Sequence, residues 1–207
     1  DVYKRQVRQT LGRRGIPAQG WIPPGLIGHE PGRRTRPAVE SGLTRPGTEV
    51  TVALHPVFTS EYAAFIDRFV EAIGALGVKL ELCRCETALE LIEGNREGRW
   101  DLSLGRWYAD YADADTFAHT LHTQEGDIGR LCGVKAVDDL IRKGREESNP
   151  RARHALYREL EQAIAEEAIL LPLFHEQVYR FGRPEISGLN VSYLGAVSYD
   201  RLSLQAE

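Results

Sequence analysis

The 207-residue sequence contains no methionine, only three cysteines and no long apolar run. An open reading frame begins with methionine, so we expect these residues to be an internal or C-terminal part of a longer protein. No stretch approaches the roughly 20 apolar residues that a membrane-spanning helix needs. The polar and basic residues 1–14 also differ from a signal peptide, which requires an apolar segment. Because an upstream part is expected, the start of the chain does not indicate the compartment.

Three cysteines are too few for a disulfide framework. Cys83 and Cys85 lie two residues apart in an expected strand, so their side chains face the same side. A C-x-C pair alone is a weak indication of metal, because a structural zinc site normally needs four ligands. One bridge from Cys132 to either Cys83 or Cys85 is compatible with the sequence, which does not choose between them.

Sequence motifs of common enzymes are also missing, including G-x-S-x-G and C-G-x-C-W. His119 and His122 have the spacing of one helix face near Asp115, but a third metal ligand is not evident. Asp113 and Asp115 form a pair of carboxylates in a solvent-rich loop, which does not favour acid–base catalysis. His175 is expected to be a satisfied, partly buried side chain. The sequence therefore predicts no catalytic residue, no metal and no cofactor.

The net charge of −4 is unevenly distributed. Residues 1–46 carry nine Lys/Arg and three Asp/Glu, a net of +6, which leaves −10 for the rest of the chain. A basic arm suits nucleic acid or anionic lipid, but no aromatic interleaving or nucleic-acid motif accompanies it. We expect no nucleic-acid partner and interpret residues 1–48 as a Pro/Gly/Arg-rich connector without regular structure.

Alternating strand and helix patterns begin at Glu49 and predict an α/β fold. Val50, Val52 and Leu54 have the period of a strand, and a helix capped by Thr59 or Ser60 follows and ends at Gly77. The same alternation predicts strands over 78–82 and 101–106, the latter with Leu102 and Leu104 inward, separated by a helix over 87–96. This βαβαβ order implies right-handed crossovers and a largely parallel sheet, whose ligands bind beyond the carboxyl ends of the strands.

The second half of the chain predicts two helices and then short strands. The helices cover residues 135–147 and the residues that follow Asn149, which is a favourable N-cap before Pro150. The apolar run 169–174 is typical of a buried strand, and 178–181 and 186–191 are shorter candidates. We divide the chain into the connector, an α/β lobe over 49–174, and a segment over 175–207 that returns to a neighbouring domain outside this sequence.

Several stretches, taken in order, resemble the family-5 solute-binding proteins of ABC transporters, which include oligopeptide- and dipeptide-binding proteins. Residues 105–117, GRWYADYADADTF, resemble the family's "GW-x-ADYPDP-x-x-F" signature. Residues 137–141, VDDLI, and 153–173, with Leu156-Tyr157 and Leu171-Pro172-Leu173, resemble a following helix and strand of the family. The chain departs from the signature where Arg106 separates Gly105 from Trp107, and where Ala112 and Ala114 replace prolines.

This resemblance implies a type II periplasmic-binding-protein-like lobe, with a mixed sheet and flanking helices, that is incomplete. It also implies a monomeric, non-enzymatic receptor in the periplasm or outside the cell. Such a receptor captures peptides or a similar small solute in an interlobe cleft and delivers them to an ABC permease in the membrane. The alternative is a cytoplasmic sensor, with this domain fused to a DNA-binding or signalling module.

The resemblance implies the ligand-binding residues as well. By match of position, Asp110 pairs with the α-amino group of a bound peptide, since an ammonium that leaves water needs a charged partner. Trp107, Tyr108 and Tyr111 would form walls of the site. The residues themselves leave two alternatives open: Asp110 is a carboxylate that closes the loop, and Trp107 is part of the core.

Overall fold

The computed structural model describes residues 2–30, 47–192 and 195–204. The α-helices are α1 (Val2–Thr10), α2 (Pro56–Thr59), α3 (Ala63–Gly74), α4 (Ala88–Glu97), α5 (Asp115–Ala118), α6 (Gly129–Cys132), α7 (Lys135–Glu146) and α8 (Pro150–Glu166). The strands are β1 (Gly15–Pro17), β2 (Thr48–Leu54), β3 (Val78–Arg84), β4 (Leu102–Leu104), β5 (Phe174–Glu176), β6 (Ile186–Ser187) and β7 (Ser203–Leu204). Short 3-10 helices cover Gly12–Arg14, His119–Leu121 and Tyr199–Arg201.

A parallel three-stranded sheet with the order β3-β2-β4 carries the first half of the fold. Val52 of the central strand lies opposite Leu82 on one side and Leu102 on the other. Helices α3 and α4 connect the strands, as the alternation of strand and helix patterns predicts. Two further sheets, β1-β5 and β6-β7, are two-stranded and antiparallel. The α/β prediction is therefore confirmed.

Helix α3 contributes Phe65, Ile66 and Phe69 to the first core, where they pack with Val52 and Leu54 of β2. The predicted cap is wrong: the hydroxyls of Thr59 and Ser60 donate to the carbonyl of Pro56 at 2.9 and 3.1 Å. These two residues end the separate short helix α2 instead. A proline at the first helical position favours that extra turn, and α3 then begins without a side-chain cap.

A second core lies between α7 and α8 and is separate from the first. Its buried residues are Ile22, Ala114, Ala118, Leu121, Val137, Ile141, Tyr157, Leu160, Ile164 and Ile169. The predicted N-cap of α8 is present, since the Asn149 side chain accepts hydrogen bonds from the backbone N–H groups of Arg151 and Ala152 at 3.0 and 3.2 Å. Such a cap satisfies N–H groups that have no partner within the helix.

The expectation that the first 48 residues lack regular structure is wrong for residues 2–17. They form α1 and β1, and β1 pairs antiparallel with β5. Val7 and Leu11, four residues apart on a polar and basic stretch, are buried in the first core. Helices of this length are stabilised mainly by packing, which the local sequence does not reveal. Residues 31–46 of the predicted connector lie outside the described residues, and the division into domains stays a prediction.

Two predictions about apolar residues also fail. Leu102 is 55% exposed, because β4 is a three-residue strand at the sheet edge. The run 169–174 is not a buried strand: Ile169 is buried, Leu171 is 61% exposed, and pairing begins only at Phe174. Pro172 lacks the N–H that a ladder requires, so it disfavours an earlier start. No helix in the described ranges has the length and apolar character to cross a bilayer.

Candidate functional site

The candidate site is the loop 105–114, which follows β4 at the carboxyl end of the parallel sheet. In open parallel sheets this end is where ligands bind. All four predicted binding residues, Trp107, Tyr108, Asp110 and Tyr111, lie in this loop. Thr116, just after it, closes the loop: its hydroxyl accepts the Asp110 N–H at 3.1 Å and its carbonyl accepts the Trp107 indole N–H at 3.1 Å.

The side chain of Asp110 is exposed, and its carboxylate makes no hydrogen bond or ion pair with any residue that the structure describes. Only its backbone N–H takes part in closing the loop. The carboxylate itself therefore does not close the loop or cap a helix within the described ranges. An exposed carboxylate in this position is available to a cation from outside the chain.

The two other aspartates near this loop are held by arginines. Asp113 accepts two hydrogen bonds from the guanidinium of Arg153, both at 2.7 Å, and this lowers the pKa of its carboxyl below the ordinary value. Asp115 is buried, and its Oδ2 accepts from Tyr111 at 2.8 Å and from Arg145 at 3.0 and 3.1 Å. Its other oxygen, Oδ1, is buried without a partner among the described residues. Charge-assisted contacts of this kind fix a loop firmly.

The guanidinium of Arg153 contacts three residues. Besides Asp113, it donates to the carbonyl of Gly144 at 2.8 Å and to the hydroxyl of Tyr157 at 3.1 Å. The guanidinium carbon lies 5.1 Å from the centre of the Tyr157 ring, within the range of a cation–π contact. Arg153 therefore connects the site loop to both α7 and α8.

Glu176 of β5 holds the other side of the loop. Its carboxylate accepts from Tyr62 at 2.8 Å, from Tyr108 at 3.2 Å and from Arg106 at 3.4 Å. The guanidinium of Arg106 also lies 4.4 Å from the centre of the Tyr108 ring. Burial, followed by the charge of Glu176, raises the pKa of Tyr108. The Tyr108 side chain is thus oriented by its neighbours although it is 57% exposed.

Sequence reasoning missed the residues that position the loop, namely Arg145, Arg153 and Glu176. They stand far from the loop along the chain, so no spacing pattern connects them to it. Arg153 did belong to a stretch that carried the family resemblance, which is the one signal that pointed to it. The structure does not choose between the two roles of Trp107, as a wall of the ligand site or as part of the core. Its side chain is half-buried, and its indole N–H donates to the Thr116 carbonyl next to the loop.

The cysteines and histidines give three further outcomes. Cys83, Cys85 and Cys132 are all free, so neither possible bridge forms. The rings of His119 and His122 lie 6.4 Å apart, and no group of three metal-binding side chains occurs in the parts of the chain that the structure describes. His175 is partly buried, as expected, and its ring has a hydrogen bond with the backbone of Gly20. Its Nε2 is buried without a partner in those parts, so the expectation of a satisfied side chain is met at only one of the two ring nitrogens. Hydrogen-bond satisfaction depends on neighbours that the sequence does not identify.

Two concavities lie away from the loop. One, of about 10 Å³, is lined by Gln19, Gly20, Ile22, Gly28, His29, Glu30 and Glu161, which leaves room for about one water molecule. The other, of about 300 Å³, is an open depression on the surface of α8 next to Glu30. Neither is lined by residues 105–114.

No family model matches the sequence. Di/tripeptide-binding protein 2 of Pseudomonas aeruginosa is 26% identical over 210 residues, which cover 94% of this chain and 39% of that protein. The murein tripeptide-binding protein MppA of Escherichia coli has a similar structure, with a TM-score of 0.72 and 18% identity over 99% of this chain and 43% of the other.

A third similar protein is the dipeptide-binding protein of Pseudoalteromonas sp. SM9913, solved in complex with Met-Leu. Its TM-score is 0.71 and its identity 18%, over 98% of this chain and 43% of the other. The chain thus spans about two-fifths of the length of the proteins that it matches. The resemblance to solute-binding proteins is confirmed, and the chain has the α/β fold of part of a periplasmic-binding-protein lobe. These similar proteins are named as binding proteins and not as enzymes.

Proposed function

We propose that this chain is part of the substrate-binding component of an ABC importer, which captures a peptide or similar small solute in an interlobe cleft. The loop 105–114 contributes one wall of that cleft. Closure of the lobes around the ligand then presents the receptor to a permease in the membrane. The periplasm is the proposed compartment, and no chemical step takes place in the cleft. The names of the similar proteins, which refer to di- and tripeptides, support this assignment.

One observation carries the proposed ligand chemistry: of the three aspartates near the loop, only Asp110 has no partner within the described ranges. Its carboxylate pairs with the α-ammonium of the peptide, while Trp107, Tyr108 and Tyr111 contact the remainder of the ligand. An ammonium that leaves water requires a charged, hydrogen-bonding partner, which Asp110 supplies. The free carboxylate in an otherwise clamped loop supports this role over that of a loop-closing side chain.

The substitution Asp110→Asn in the complete gene product tests this role. It removes the charge but keeps the size, so we expect affinity for a dipeptide with a free amino terminus to fall by about 2 kcal/mol, or about 30-fold. Affinity for the N-acetylated dipeptide should change little, because that ligand has no ammonium. Isothermal titration calorimetry with both peptides measures the difference.

Asp67→Asn is the matched control, since Asp67 is an exposed aspartate on α3, away from the loop. It should leave both affinities unchanged. An equal loss for free and acetylated peptide in Asp110→Asn would exclude the pairing with the amine. Absence of binding by any short peptide to the complete wild-type protein would reject the proposed function itself.

A further inference from the structure

The two arginines that hold the site loop lie on α7 and α8, close to the turn that joins these helices. Arg145 lies in the last turn of α7 and bonds to Asp115, while Arg153 lies in the first turns of α8 and bonds to Asp113. Asp110, which has no partner in the described ranges, thus lies close to two aspartates that are fixed to a helix pair, Asp113 in the same loop and Asp115 at the start of α5. The helix pair is in turn packed around the second core.

Arg153 is the more firmly held of the two. Its side chain is 19% exposed, against 47% for Arg145. Its Nε–H donates to the Gly144 carbonyl, and its two terminal nitrogens form the parallel pair of bonds to Asp113. The planar guanidinium fork matches a carboxylate in a way that a lysine ammonium does not. Tyr157, which accepts a further bond, is fully buried and fixes the guanidinium against the core.

Hydrogen bonds continue from Asp113 toward Asp110. The Asp113 N–H donates to the carbonyl of Tyr111 at 2.9 Å, and Asp113 Oδ1 accepts the Asp115 N–H at 2.8 Å. Asp113 therefore sets the backbone on both sides of itself, including the residue next to Asp110. Thr116 fixes Asp110 from the other direction, through the Asp110 N–H.

We propose that Arg153 is a positioning residue for the ligand site: through Asp113 it fixes the loop so that the Asp110 carboxylate meets the amino group of the ligand. Arg153 does not itself contact the ligand, because its donors are directed to Asp113, Gly144 and Tyr157. This inference rests on the proposed role of Asp110. A loop ordered before binding loses less conformational entropy when the ligand arrives, and it holds the charge in one place.

The conservative variant Arg153→Lys in the complete gene product tests the proposal. Lysine keeps the positive charge but not the paired bonds, so the loop loses its fixed geometry. We expect the preference for a free over an N-acetylated dipeptide, measured as the ratio of the two dissociation constants, to fall about tenfold. Calorimetry with both peptides measures that ratio. A merely structural role would weaken both peptides equally and leave the ratio unchanged.

Arg158→Lys is the matched control, because Arg158 lies on the same helix and pairs with Glu30 at the surface. It should leave the ratio at the wild-type value. Asp113→Asn, which keeps the arginine and weakens the same contact, should lower the ratio as Arg153→Lys does. If Arg153→Lys shows no cooperative unfolding transition, the protein is not folded, and the ratio measured for Asp113→Asn then tests the proposal.

This inference would be overturned if folded Arg153→Lys kept the wild-type ratio of the two dissociation constants. If Arg153→Lys does not fold, a wild-type ratio in Asp113→Asn would overturn it instead. The outcome differs from failure of the proposed function, in which the wild-type protein itself has no preference for the free amine. Adding Asp110→Asn to Arg153→Lys separates the two roles further. If Arg153 acts through Asp110, the double variant should have the same ratio as Asp110→Asn alone; a double variant with a ratio below that would contradict the proposal.

Discussion

Three aspartates within six residues of sequence differ in their environment: Asp110, Asp113 and Asp115. Arg153 and Arg145 neutralise the second and third, whereas the first is exposed and has no partner in the described ranges. The charge of a carboxylate is stabilised by paired donors and nearby cations. Whether a cationic side chain lies beside the carboxylate, and not the residue type, therefore distinguishes a structural aspartate from one that is available to a ligand.

His175 is a second residue whose environment decides its behaviour. Burial, with a smaller contribution from His29, lowers its pKa to about 4 from the ordinary 6.5. Its Nε2 has no partner among the described residues. The neutral imidazole is thus the form that the fold accommodates, and protonation is coupled to unfolding.

We expect the free energy of unfolding to fall by up to about 3 kcal/mol on account of His175 as the pH drops from about 6.5 to about 4. The sign follows because the unfolded chain binds a proton in this range and the folded chain does not. Urea denaturation at several pH values measures the effect in the wild type and in His175→Phe, which should lose this contribution. His119→Gln is the control and should retain it. An identical pH dependence in wild type and His175→Phe would contradict the assignment.

At the scale of elements, α7 and α8 form a close-packed pair that supports the site. Gly144 of α7 faces Tyr157 of α8: a Cβ at position 144 would lie 2.8 Å from Cε1 and 3.1 Å from Cζ of the ring. Tyr157 is fully buried and cannot move without disturbing the core. The absence of a side chain at Gly144 therefore permits the approach of the ring that holds Arg153.

Gly144→Ala should destabilise the protein by about 1–3 kcal/mol, because overpacking outweighs the better helix propensity of alanine. Gly74→Ala is the matched control: Gly74 also lies in a helix, but a Cβ there would have no atom within 4 Å. It should raise the free energy of unfolding by up to about 1 kcal/mol. Thermal or urea unfolding compares the two variants, and equal effects would contradict the packing argument.

At the scale of the described molecule, the N-terminal segment joins the two cores. Val7 and Leu11 pack into the first, while Ile22 packs into the second. Glu161 of α8, which is buried, accepts the backbone N–H groups of Trp21 and Ile22 at 3.0 and 2.7 Å. A buried carboxylate requires such donors to offset the loss of hydration. This contact ties the segment to the helix pair below the site.

Glu161→Gln should lower the free energy of unfolding by about 2 kcal/mol, since it removes a charge-assisted pair of bonds and places an amide N–H₂ near backbone donors. Glu159→Gln, an exposed change on the same helix, is the control and should have an effect within about 0.5 kcal/mol of zero. Urea denaturation at neutral pH measures both. A Glu161→Gln protein as stable as the control would mean that the Glu161 carboxylate does not stabilise the segment.

The sequence by itself determined the elements whose local pattern and tertiary environment agree. The alternation from Val50 to Leu54 gave β2, and the cap residue Asn149 with Pro150 gave the start of α8. The ordered motifs around residues 105–117 located the loop and carried the resemblance to solute-binding proteins. In each case a few neighbouring residues carry the information, since strand period, helix caps and short signatures are local properties.

Only the tertiary structure decided which side chains act together. Several features depend on contacts between residues far apart along the chain. Helix α1 is held by the packing of Val7 into the first core, and Asp113 is held by Arg153. The exposure of β4 and the contact of Arg145 with Asp115 likewise depend on the tertiary structure. Burial and charge pairing are set by the full packing arrangement, so no local pattern reports them. The same packing left the Asp110 carboxylate without a partner in the described ranges, and the proposed recognition of an amino group rests on that.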